Sequence, residues 1–516
     1  MAKISKKRKL RFGTVGILLC VLAIACVVIV NVIAGALCLR YEWMYLEMNR
    51  PAVYEISDAC RDYIREHIIS EAEKTRKDEN GEQKIKVIFC DGGTENSSEE
   101  LYKYIYDSFF EISEMFPGYF EIEHLNVWDE PSRAKEYGVD SSEDIVCVFN
   151  GRHETINLKD FYIIETDGYE STPVAYNGEK IIASCLLRVT QSETPMCYLT
   201  VNHGEVYGDY EFVRMVSEAG YSVGFLDLYA EDIPEDCDIL VTYDPKKDLA
   251  EAGGSSLISE VEKLDEYMSE GGKYMVFLSA DTFASGGFDN LEGFLSTRGI
   301  EYMHKTTDEG VEACYLVKDS ANSLTIDGYT VLSENSKTGI GASIFGNLKA
   351  ENSFGNTTYI SVADGFAPDG NGNYVSADKN RTFAPLMLSH STAVAWADGR
   401  AVARASDNDF ILMSLTEQKC ENGKTGYLVA SASVDFASED AMQSSVLGNS
   451  RALSEIIKYM GKENVPSNLV FKPFGETKIQ SLTSRSANII TVIMVALPAV
   501  AVAAVGAVVL IRRRNR

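Results

Sequence analysis

Between residues 197 and 281, short apolar runs alternate with amphipathic helical ones, and this alternation confines the stretch to a largely parallel α/β sheet. Strands covered on both faces need near-continuous apolar residues, as residues 221–228, 238–243 and 274–278 have. Between these runs, Phe212, Val216 and Ala219 share one helical face, and Leu257, Val261, Leu264 and Met268 share another. Gly220 and the pair Gly271-Gly272 stop those helices. Residues 191–300 are therefore expected to form a flavodoxin-like or class I amidotransferase-like parallel sheet, resumed by residues 425–463.

Two other regions flank or interrupt this sheet. Residues 84–190 read as strand, helix, strand, short helix and hairpin, an order similar to a thioredoxin-like fold. The dithiol of that fold is absent, because Asp91-Gly92-Gly93 follows the first strand. Residues 301–424 are rich in Gly, Asn, Asp and Ser with short apolar runs, the pattern of a β-rich insertion with long turns. Residues 40–83 form a juxtamembrane amphipathic helix and loop, and 464–486 a linker.

Charge places the ends. Residues 12–39 and 487–511 carry no charged side chain, and each run is long enough to span a bilayer core of about 20 apolar residues. Basic tails lie outside them, Lys3, Lys6, Lys7, Arg8, Lys9 and Arg11 in residues 1–11 and Arg512, Arg513, Arg514 and Arg516 in residues 512–516. Taking those ten positives from the net charge of −28 leaves −38 on the middle of the chain. Positive-inside reasoning then predicts a two-pass membrane protein with both termini cytoplasmic and the bulk extracytoplasmic. A cleaved signal peptide fits the first run poorly, since its apolar core is too long; a lipoprotein reading at Cys26 lacks the right upstream residue. In the second run Ala499, Ala503 and Ala507 recur every fourth residue, a small-residue stripe suited to helix packing. Tails this short hold no signalling domain, and the acidity argues against nucleic acid.

Candidate chemistry is sparse. His203 and Glu205 follow a buried strand, where open α/β sheets bind ligands, and Asp281 ends another strand on the same edge. The alternative is a strand-to-helix turn in which Gly204 reverses the chain. The strand ending at Tyr243 runs into Asp244-Pro245-Lys246, with no Cys or Ser where an amidotransferase places its nucleophile, and no G-x-S-x-G occurs. Asp369-Gly370-Asn371-Gly372-Asn373 looks like a calcium loop but has Tyr374 and Asn380 where Gly and Glu are needed. No metal, cofactor or catalytic residue is expected, and the eleven cysteines form no ligand spacing.

The order of short motifs resembles the gliding-motility GldG-like family of ABC-transporter auxiliary proteins. It comprises Tyr54 to Ser57, Trp128-Asp129-Glu130-Pro131 before Tyr137-Gly138-Val139, His203-Gly204-Glu205, the Ile233-Pro234 turn, Asp435-Phe436, Gly448-Asn449-Ser450-Arg451, and an apolar run ending in arginines. The chain departs from the family at Val201-Asn202, where a small Thr-Gly-like pair is usual. The resemblance implies a non-enzymatic, membrane-anchored auxiliary subunit acting with a separate ABC permease and ATPase. The alternatives are a tethered module that binds or senses an external ligand and, with less support, an amidotransferase-like or hydrolase-type enzyme.

Overall fold

The computed structural model describes residues 52–474, except 79–80, 91–99, 140, 168–169, 206–209, 252–258, 285–286, 308–309, 347 and 445. The chain divides into two units, Met1–Glu55 and Ile56–Arg516. The described part of the first is a 3-10 turn at Ala52–Tyr54; everything below concerns the second.

Helix α1 (Asp58–Tyr63) passes through a π turn (Ile64–Ile69) into α2 (Ser70–Thr75). Next comes a four-stranded sheet built from β1 (Ile85–Phe89), α3 (Glu100–Met115), β2 (Phe120–His124), α4 (Pro131–Glu136), β3 (Asp144–Phe149) and β4 (Arg152–Asn157). The strand order is β2-β1-β3-β4, with β1 parallel to β2 and antiparallel to β3. In α3, Tyr102, Ile105, Phe109 and Ile112 recur at helical spacing and all are buried. Phe89 of β1 meets the rings of Tyr102 and Phe109 edge-on at 5.8 Å.

A hairpin of β5 (Tyr162–Asp167) and β6 (Glu170–Tyr176) leads into α5 (Gly178–Thr190), which is buried along most of its length. This helix joins the first and last described segments of the unit. Glu179 accepts hydrogen bonds from the backbone N–H and the hydroxyl of Ser57, the N-cap of α1, the latter at 2.9 Å. Lys472, from a short strand that pairs with β6, donates to the same carboxylate at 2.8 Å.

The main sheet begins with β7 (Met196–Thr200), α6 (Tyr210–Glu218), β8 (Ser222–Leu226), β9 (Cys237–Tyr243), α7 (Glu260–Ser269) and β10 (Lys273–Phe277). Helices α8 (Ala280–Ala284) and α9 (Asp289–Ser296) follow. Its later strands are β11 (Thr330–Asn335), β12 (Asn352–Gly355), β13 (Arg381–Ser389), β14 (Ile411–Lys419) and β15 (Thr425–Ser431), before α10 (Asn449–Tyr459). Along the sheet they stand β8-β7-β9-β10-β15-β14-β13-β11-β12. The pairs from β8 to β15 are parallel, and those from β15 onward are antiparallel. Successive residues of the parallel strands feed opposite cores. Cys197, Leu199, Ile239, Val241, Met275 and Phe277 enter one, and Leu226, Leu240, Tyr274 and Val276 the other. Each fully buried aliphatic or aromatic side chain contributes about 1.5–3 kcal/mol, and together these burials hold the central strands.

The turn-rich residues 301–424 supply β11, β12, β13 and β14, which extend the parallel strands into one sheet of thirteen strands among the described residues. The class is mixed α/β with several sheets. In addition, no helix among the described residues is long and apolar enough to cross a membrane, against the expected pair of transmembrane helices and the two-pass localisation. The 16 residues of α3 rise about 24 Å, short of a hydrocarbon core of about 30 Å, and they carry charges. The runs 12–39 and 487–511, with Ala499, Ala503 and Ala507, lie outside the described residues.

Candidate functional site

The parallel strands β7, β9 and β10 deliver their carboxyl ends to one edge, and the loops there carry the polar residues singled out above. After β7 the chain turns sharply through Asn202 (φ 80°) and Gly204 (φ 80°). Asn tolerates the left-handed region and Gly adopts it freely. A Cβ on Gly204 would meet the Lys246 side chain at 3.1 Å, because the loop after β9 packs directly on this turn. Lys246 N–H donates to the His203 carbonyl at 2.7 Å and fixes that packing.

The turn places His203 between two carboxylates. Its Nδ1 lies 3.1 Å from Glu205 Oε1, and its Nε2 lies 3.0 Å from Glu260 Oε2, at the start of α7. Both glutamate side chains are 1 % exposed. Glu205 also accepts from the Thr200 hydroxyl at 2.8 Å and from the His203 N–H at 2.7 Å. Glu260 accepts from the Ala250 N–H at 2.6 Å. Behind Thr200, the hydroxyls of Thr242 and Tyr274 continue the chain at 3.0 and 2.9 Å, one residue from each of three adjacent strands.

Burial pulls the His203 pKa down, but the hydrogen bonds and charges of Glu205 and Glu260 outweigh it and carry the imidazole up to about 10. Burial pushes Glu205 up, and the bonds from His203, its own loop backbone and Thr200 outweigh that and hold it below its ordinary value. His203 is therefore an imidazolium near neutral pH, donating from both ring nitrogens. It is not a free base.

Of the three residues expected at this edge, the fold joins His203 and Glu205. Asp281 is exposed in the first turn of α8, and both ring nitrogens of His203 are already taken. The next loop is occupied in the same way, with Asp244 accepting from Thr282 Oγ1 at 2.9 Å and Lys246 Nζ at 2.7 Å. Glu260 and Thr200 were missing from the sequence reading. Glu260 stands 57 residues from His203, and only the preference of helix starts for acids hints at its place. Burial drives Cys197 well up and Cys237 to about 12, so neither thiol near the sheet is an ionised nucleophile. Asp369 closes its turn through Asn371 N–H at 2.7 Å and Asn373 N–H at 3.1 Å. Among the described residues no group of acids, histidines and cysteines is arranged for a metal ion.

No family model matches the sequence, and no curated protein matches it. Among solved structures, the N-terminal domain of mmIFT52 is similar at 12 % identity and a TM-score of 0.36, covering 51 % of this chain and 96 % of that one. A cytoplasmic protein from Salmonella typhimurium matches at 9 % identity and 0.30, covering 51 % and 98 %. The PurLQS structure from Thermotoga maritima matches at 13 % and 0.28, covering 52 % and 100 %. Scores this low carry no inference about activity.

Proposed function

We propose that this chain is a non-catalytic accessory subunit that works beside an ABC permease and ATPase, as its GldG-like motif order implies. The supporting observation is the occupied sheet edge: both ring nitrogens of His203 are engaged by Glu205 and Glu260 where an α/β enzyme presents reactive groups. Asp244-Pro245 offers no nucleophile at the neighbouring turn. The edge thus serves as a fixed scaffold. Affinity purification of the cross-linked full chain from its native cells tests the reading. Recovery of a permease and an ATPase supports it; repeated recovery of neither removes it.

A further inference from the structure

A second polar cluster lies away from the sheet edge, around the start of α10, and it is built in the opposite way. A cavity of about 580 Å³ opens there, within the size range of small-molecule sites. Its apolar walls include Leu447, Leu469, Val470 and the neighbouring Val446, with Val446 72 % and Val470 53 % exposed. In a chain with 76 acidic residues, no Asp or Glu among the described residues lines it.

Ser444, Ser450 and Ser454 of its lining are hydrogen-bonded within the chain, but two other polar groups are not. Arg451 makes no ion pair among the described residues; its Nε is buried without a hydrogen-bond partner, and its one side-chain bond, to Asn468, is long at 3.5 Å. Ser467 is 4 % exposed, and its hydroxyl also lacks a partner. Buried donors are normally satisfied, so two orphans lining one cavity point to an absent acceptor. The 11-residue helix α10 starts here with Gly448 as N-cap, no side-chain cap and no acid in its first turn, which leaves its positive end available. Lys180 adds no free charge, since Glu218 binds it at 2.5 Å.

We infer that this groove binds a single-chain amphiphile with a carboxylate head. The head sits at the start of α10, taking hydrogen bonds from Arg451 and Ser467, and the tail lies along Leu447, Leu469 and Val470. One uncommitted guanidinium with one hydroxyl matches a single negative charge better than a dianion. The inference is independent of the transporter proposal and stands whether or not a permease is recovered.

The test is titration of the full chain with cis-parinarate, a fluorescent long-chain carboxylate, followed by competition. Saturable binding is expected, displaced by dodecanoate but not by dodecanol or acetate. Arg451→Gln should weaken it about ten- to a hundred-fold, the range for a hydrogen bond to a charged group. Ser467→Ala should weaken it a few-fold, and Val470→Asp should abolish it, with thermal midpoints confirming that each variant folds. Unsaturable binding, equal displacement by dodecanol, or full affinity in Arg451→Gln overturns the inference. Stronger displacement by dodecyl phosphate or by an acid-ended apolar peptide overturns the carboxylate assignment.

Discussion

The sheet edge at His203 and the groove at α10 both gather polar groups at an element's end, yet they finish in opposite states. At the edge, a buried imidazolium is enclosed by Glu205 and Glu260, whose carboxylates also accept from the Thr200 hydroxyl and the His203 and Ala250 N–H groups, with only Glu260 Oε1 left unpartnered among the described residues. At the groove, Arg451 Nε and Ser467 Oγ are left without partners beside exposed valines. The first arrangement is stabilising, with both ring nitrogens of His203 engaged. The second leaves two donors of one groove unsatisfied in the free protein, and the proposed ligand would restore their hydrogen bonds.

The strongest way to break this contrast is to open the edge. His203→Ala leaves two buried carboxylates facing each other and should destabilise the protein by about 3–5 kcal/mol, seen as a large fall in denaturation midpoint. A loss below about 1 kcal/mol would show that the cluster is not a scaffold.

Gly204→Ala comes next. It forces a side chain into the left-handed region and against Lys246, and should cost about 1–2 kcal/mol in the same unfolding assay.

A pH series sharpens the electrostatic half of the contrast. The folded His203 pKa of about 10 exceeds the unfolded value of about 6.5, so its stabilisation is complete below about pH 6.5 and is lost as pH rises toward 10. The depressed Glu205 contributes above its unfolded pKa and fades as the pH falls below it. The stability gap between the native protein and His203→Gln should accordingly narrow between pH 7 and 10. A constant gap would mean that His203 is neutral in the fold.

The smallest stability effect belongs to the groove. Arg451→Gln should change unfolding free energy by less than about 0.5 kcal/mol, as for other changes without a satisfied partner. A larger loss would place Arg451 in the scaffold with His203.

Much of the local structure was legible from periodicity. Apolar runs at 238–243 and 274–278 correspond to β9 and β10, and the stripe through Leu264 and Met268 corresponds to α7. Two kinds of information were not local. The strands at 330–335 and 352–355 are short, those at 381–389 and 411–419 run for nine residues each, and nothing in their spacing announces that they pair into the sheet begun at Met196. Likewise His203 and Glu205 were visible as neighbours, while Glu260 became part of the site only through the packing of α7. The groove was equally hidden. Gly448 to Arg451 stood out as a motif, but Ser467 is an ordinary linker serine until the fold buries its hydroxyl.

The Glu179 junction carries a mechanical consequence. Because Ser57 and Lys472 meet on one carboxylate, tension applied between these two residues would load those few bonds and the short strand at Lys472 before it reached the large sheet. The junction would act as a latch, the first bonds to part before load reached the large sheet and its His203 scaffold.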